Sequence, residues 1–333
     1  MRQFHLSRTM AISRLLLEKQ NAETSNALIE HLASSEAFAF LAGKEQESTI
    51  ARDDEDAVKV AKGIDFAKSK GVLDEIVPQP YVEIDVLGKT PSTVVDEILA
   101  KLKADSKDDN AGSVIVLCGL SGTGKGTTVS TLKQKLENDE GKQVVTWSNG
   151  NIFRSVTLLA ATWCEQQADL DGFDKDKALT KENLANFMSM LSFGKFNGKY
   201  DTHIQGLGLD MFVDQIKDTE LKVPKVSKNI PTVAEVTQGE VVKFAADAVD
   251  KMGKDGLFVL LEGRKQTVDY VRTPFRFTLT LSDQSLIGKR RAAQRVMAAA
   301  KGLTSDSASD EDVDKAVQEC TLKMAKEVGY DKA

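Results

Sequence analysis

Residues 119–128 read Gly-Leu-Ser-Gly-Thr-Gly-Lys-Gly-Thr-Thr and follow directly on the apolar run Val114–Cys118. Glycines at this density let a backbone take positive φ values and turn several N–H groups inward onto an anion. A helix starting behind such a turn adds its positive end, and Lys125 adds a point charge. Gly119, Ser121, Gly122, Thr123, Gly124, Lys125, Gly126, Thr127 and Thr128 are therefore the candidate donor-phosphate residues. Lys125 is expected on the β- and γ-phosphates, with the hydroxyl of Thr127 or Thr128 near a Mg²⁺ held through those phosphates. The chemistry this suits is phosphoryl transfer, in which charge spreads over phosphate oxygens and catalysis is mainly positioning and electrostatic stabilisation. An apolar strand before the motif and a helix after it separate it from an ordinary glycine turn.

The residue after the lysine is Gly126, not Ser or Thr, and this GxxGxGKGT form resembles the nucleoside-monophosphate kinases. Further segments sharpen the resemblance to bacterial-type cytidylate kinases. "SNGNIFRSVTLLA", 148–160, looks like the segment that opens the family's acceptor site, with Gly150 and Arg154 matching and Ser148, Asn149 and Phe153 departing from the pattern. "LFVLLEGR" supplies Glu262, Gly263 and Arg264 where the family has Asp-Gly-Arg, and "SLIGKRRAAQR" resembles its arginine-rich helix. The resemblance covers about residues 111–325. It implies a P-loop kinase fold: an α/β protein whose five-stranded parallel sheet, order 2-3-1-4-5, is flanked by helices. It further implies ATP and Mg²⁺ as donor and cofactor and a nucleoside monophosphate, CMP or dCMP, as acceptor. Lys125, Arg264, Arg290 and Arg295 take the catalytic roles, with Arg291 beside them on the basic helix. Ser148, Asn149, Gly150, Arg154 and Arg264 take the acceptor side. Two departures concern acceptor recognition: Pro231 stands where the family carries an arginine, and Lys265 where it carries an aspartate.

The family continues past its arginine helix into a lid and a last strand and helix, which this chain lacks at its C-terminal end. "VEIDVLGKTPSTVVDEIL", 82–99, looks like that strand and helix, and Arg52-Asp53-x-x-Asp56 like the lid pattern. Arg52, Asp53 and Asp56 are thus lid candidates in a circularly permuted kinase. In that arrangement 81–86 runs parallel beside 275–281, and the sheet order is 143–147, 257–261, 113–118, 275–281, 81–86. The rival reading is a separate N-terminal helical domain ahead of a truncated kinase. The division expected is a helical extension over 1–79, partly lid, and a kinase-like domain over 80–333.

The elements that must position these residues alternate in type along the chain, which predicts a parallel α/β sheet. Strands are expected at 81–86, 113–118, 143–147, 257–261 and 275–281, with helices after each of the first three and across 237–253 and 285–302. Residues 10–43 read as one or two helices. "KEQESTIARDDEDAVK" reads as a solvated face or loop, 169–232 as a mixed region with glycine-rich turns at 194–208, and "SDSASDEDVD" as an acidic loop before a last helix.

The 333 residues carry a net charge of −6, which argues against a nucleic-acid polymer as partner because phosphate contacts need a basic surface. Three cysteines without paired spacing suit a reducing compartment, and three scattered histidines suggest no metal site. No apolar run approaches the roughly 18 residues of a membrane span, so no membrane partner is expected. Arg2, Arg8 and Arg14 in an acid-free N-terminus fit either a mitochondrial or other organelle transit peptide or the start of an ordinary helix, the latter in a cytoplasmic protein. Two functions of other kinds remain beside the leading one: a catalytically weak nucleotide-binding or scaffold protein, and a kinase of a small non-nucleotide acceptor.

Overall fold

The structure, a computed structural model, describes residues 12–19, 21–105 and 112–332. The basic stretch before residue 12 and the connector 106–111 lie outside the described residues. Along the chain come helices α1 (Arg14–Glu18), α2 (Ala22–His31) and α3 (Glu36–Ser69), strand β1 (Val82–Asp85) and helix α4 (Pro91–Asp105). Next are β2 (Ser113–Gly119), α5 (Lys125–Asn138), β3 (Val144–Trp147), α6 (Asn149–Glu165), α7 (Lys175–Ala178) and α8 (Lys181–Ser189). A small-strand region follows: β4 (Leu191–Phe196), β5 (Lys199–Gly206), β6 (Leu209–Phe212), α9 (Val213–Ile216) and α10 (Pro224–Ser227). The chain ends through α11 (Ile230–Lys254), β7 (Phe258–Glu262), α12 (Lys265–Val268), β8 (Arg276–Thr280), α13 (Ser285–Leu303) and α14 (Asp310–Glu327). No helix among the described residues is long and apolar enough to cross a membrane.

Five strands form one all-parallel sheet in the order β1-β8-β2-β7-β3. Alternation along the central strands divides the core between the two faces. Ile115 and Leu117 of β2 and Leu260 of β7 pack with the apolar stripe of α4 (Val94, Val95, Ile98, Leu99, Leu102) and with α5. Val116 and Cys118 point the other way, to α6 and α11. Strand β1 pairs with β8 from Val82↔Phe277 to Asp85↔Thr280, so β8 is hydrogen-bonded on both sides. Its entry is pinned by Arg276, 1% exposed, which donates to Asp269 Oδ1 at 2.8 Å, to the Val271 and Val268 carbonyls and to the Tyr81 hydroxyl. Tyr81 in turn donates to Asp269 Oδ1 at 2.6 Å, and burial raises its phenol pKa.

Three findings correct the sequence reading. First, "KEQESTIARDDEDAVK" is not a loop but the interior of α3, a helix of 34 residues and about 50 Å, whose solvated face it largely forms while Glu45, Thr49 and Asp53 turn inward. Its stripe is periodic though partly polar: Phe38, Leu41, Ala42, Glu45, Thr49, Asp53, Ile64 and Ala67 are buried at helical spacing, and the charged members find partners. Second, the mixed region contains a three-stranded antiparallel sheet, β4-β5-β6. Its hairpins turn at Asn197-Gly198 and Leu207-Gly208, each with φ positive at both residues, the backbone that a two-residue hairpin requires. Third, the acidic loop ends at Ser309, which caps α14 reciprocally with Asp312. Helices α1, α2, the first half of α3, α13 and α14 share one core around Leu28, Leu41, Val296, Met297 and Val317, so both ends of the chain build one helical layer.

Candidate functional site

The 119–128 loop joins the C-terminal end of β2 to α5, where an open parallel sheet leaves a crevice for ligands. Gly122 and Gly124, at φ 82° and 86°, hold the left-handed backbone that turns the loop. Thr123 is buried and ties its hydroxyl to the Leu120 carbonyl at 2.9 Å. Lys125 Nζ donates to the carbonyls of Gly119 and Leu120, both at 2.8 Å. Burial lowers the pKa of Lys125 against the opposing field of Glu262, at the end of β7. Gly126 is exposed and Thr128 buried, its N–H bonded to the Gly124 carbonyl at 2.9 Å. The Thr127 hydroxyl accepts the Ala22 N–H at 3.4 Å, which brings the start of α2 to the loop.

Two arginines from far down the chain converge here. Arg264, immediately after β7, caps α12 and donates Nη2 to Asp53 Oδ1 at 3.0 Å and to Asp56 Oδ2 at 3.1 Å. Arg290, 5% exposed on α13, donates Nη1 to the Gly122 carbonyl at 2.9 Å and Nε to Asn26 Oδ1 at 3.1 Å, and burial lowers its pKa. The other two arginines of that helix behave differently: Arg295 pairs with Glu45 of α3, and Arg291 is exposed.

Among the lid candidates, the acids meet the site and the arginine does not. Asp53 is 3% exposed; Oδ2 accepts the Ser121 N–H and Oδ1 the Ser121 hydroxyl, each at 2.7 Å. Burial alone would raise its pKa, but these bonds and Arg264 outweigh burial and hold the carboxyl below the usual range. Arg52 is exposed, one position round the helix from the buried stripe, on the stretch of α3 that Asp53 ties to the loop.

The acceptor-side candidates gather after β3. Ser148 stands at the N-cap position of α6 without a side-chain capping bond, Asn149 Oδ1 accepts Trp147 Nε1 at 2.8 Å, and Arg154 reaches Asn151 Oδ1 at 3.4 Å, with its guanidinium beside Gly150. Ser148 and Asn151 line a cleft of about 1210 Å³ that meets the loop side at Gly126 and Glu262. Its far wall comes from the small sheet, where Phe193 stacks on Tyr200 at 5.3 Å and meets Trp147 edge-on at 5.4 Å. Lys133, Lys195, Lys199 and Lys217 also line it, together with Glu137, Asp201, Asp214 and Glu262. Sequence reasoning missed this aromatic wall. Its signal was the Asn-Gly turn between aromatic-bearing runs, "LSFGKFNGKYDTH". In comparisons with known proteins, no family model and no curated relative matches this chain.

Proposed function

We propose that this protein transfers a phosphoryl group from ATP, with Mg²⁺, to a nucleoside monophosphate, with CMP or dCMP the first candidates. The observation that carries the reading is convergence: a glycine–lysine loop at the end of a central parallel strand, met directly by Arg290 and, through Asp53, by Arg264. The strand order supports it too, because 82–85 beside 276–280 is the arrangement that a permuted kinase of this kind requires.

In this reading the loop amides and Lys125 hold the donor phosphates and stabilise charge as it develops on the transferred group. Arg264 and Arg154 grip the acceptor phosphate, since a planar guanidinium matches phosphate oxygens bidentately. The Phe193–Tyr200 wall offers a flat apolar surface to a base. A Mg²⁺ held chiefly through phosphates needs few protein oxygens, and the Thr127 hydroxyl and the exposed Glu262 carboxylate are those nearest in kind. Bound there, Mg²⁺ would offset charge on the transferring oxygens.

One observation favours the rival reading of a weakly active nucleotide-binding protein. Lys265, where related enzymes carry an aspartate, holds its ammonium 4.7 Å from the Tyr81 ring. The deciding experiment is ADP release across CMP, dCMP, UMP, AMP and shikimate. Turnover with a pyrimidine monophosphate supports the proposal; turnover with shikimate alone would move the protein to the small-acceptor kinases. ATP binding with no turnover on any of the five would favour the rival reading.

A further inference from the structure

Several of the groups assigned above to phosphates already have partners from the first sixty residues. The Ser121 N–H and hydroxyl go to Asp53, and Arg264 goes to Asp53 and Asp56. Thr127 takes the Ala22 N–H, and Arg290 gives Nε to Asn26. The field of Asp53 also acts on Lys125. A carboxylate thus stands among a loop amide, a lysine and an arginine, the donor set that a phosphoryl oxygen would use. A residue that merely oriented Arg264 would leave the loop amide free. Asp53 takes the amide itself.

The middle of α3 is also held in a way that lets it leave. Its apolar anchors sit toward the ends, with Phe38, Leu41 and Ala42 in the helical layer and Ile64 and Ala67 against α11. Between Ala42 and Gly63 the buried residues are Glu45, Thr49 and Asp53, all polar. Polar contacts of this kind exchange for equivalent ones at little net cost, whereas apolar burial does not.

We propose that Asp53 is an internal stand-in for a phosphoryl oxygen, so that α3 closes the phosphate site on itself and an incoming polyphosphate must displace it. The inference rests on the phosphate-site reading above. Two anions cannot share one set of donors, and their mutual repulsion makes the exchange competitive. Asp53 is therefore a gate, and removing its charge strengthens anion binding.

The test is direct titration of the full chain and its Asp53→Asn and Asp53→Ala variants with ATP and, separately, with inorganic tripolyphosphate. Asp54→Asn, at an exposed neighbouring carboxylate, is the charge control. Asp53→Asn is expected to bind both ligands about tenfold more tightly than the parent, the equivalent of ~1.4 kcal/mol, with Asp54→Asn unchanged. Tripolyphosphate should also speed amide exchange across 47–57 in the parent protein. A folded Asp53→Asn with equal or weaker binding overturns the gate and makes Asp53 a support for Arg264. If Asp53→Ala does not fold, the Asn variant decides alone. Tighter tripolyphosphate binding without ATP binding in any variant sinks the nucleotide reading and leaves the gate standing. Failure of every variant to bind either ligand overturns both.

Discussion

Lys125 sits with its ammonium folded onto two carbonyls of its own loop, and burial lowers its pKa. Its hydrogen bonds stay within its own loop, so Lys125→Ala is expected to abolish ADP release, by at least about 10²-fold, with a much smaller effect on the melting temperature. Near-normal turnover would sink the loop mechanism. Arg154 and Arg264 then separate by what else they touch. Arg154 has one long bond, to Asn151, so Arg154→Ala is expected to raise the acceptor KM roughly 10- to 100-fold with little change in stability. Arg264→Ala should raise the acceptor KM as well, but it also strips a partner from the buried Asp53 and should lower the melting temperature. Equal effects on the ATP and acceptor KM values would place these arginines on the donor side. The depressed pKa of Asp53 fixes a sign with pH. Its contribution is fully present above the unfolded value of about 4 and is lost as pH falls through the lower folded value. Protection factors in the middle of α3, with the intrinsic rate at each pH divided out, should therefore fall on acidification, and Asp53→Asn should remove that dependence. In the sequence the loop and both arginines stand out by type and spacing. Asp53 is picked out only through the Arg52-Asp53-x-x-Asp56 lid pattern, and its burial is not legible, because burial of a carboxylate is decided by partners 68 and 211 residues away.

At the scale of elements, the strands and most helices were legible because their apolar residues recur at period 2 or 3.6, and α5 begins and ends where its sequence suggests. Helix α3 was not, since a stripe completed by Glu45, Thr49 and Asp53 carries no apolar signal. Nor was the small sheet, whose strands are short and only half buried. What holds α3 over the loop is its close crossing with α13. At Gly288 a β-carbon would meet the Ala42 carbonyl oxygen and come within 2.8 Å of the Gln46 nitrogen, both backbone atoms that cannot swing aside. Gly288→Ala is expected to cost about 1–3 kcal/mol, read as a lower melting temperature and faster exchange in α3. Gly302, on the same helix with open space around its α-carbon, is the matched control; there alanine should be neutral or slightly stabilising. Equal losses at the two sites would mean that the α3–α13 approach is not limiting.

For the whole molecule, the sequence placed 81–86 beside 275–281 from a strand–helix resemblance alone, and β1 lies parallel to β8 there. Neighbours in the sheet need not be neighbours in the chain, since register comes from matched apolar faces and from the Tyr81–Asp269–Arg276 cluster. The two ends also meet: Lys332 pairs with Glu36 at 2.8 Å, Tyr330 packs on Phe40 and Arg14 reaches Asp306 at 3.0 Å. Chain order and fold are therefore separable by experiment. Deleting residues 12–105 would strip β1 from β8, leaving Phe277 and Leu279 on an open edge, and would uncover the α13 face now under α3; the product is expected to aggregate. A rearranged chain that starts at residue 112, runs to 332 and returns through a Gly-Ser linker of roughly 15 residues to 12–105 keeps every contact. It is expected to be soluble, to melt within a few degrees of the parent and to retain its ATP affinity. A soluble, cooperatively melting deletion product would show instead that 12–105 is a detachable appendage. A rearranged chain that fails to fold would show that the present order of segments is needed to build the sheet.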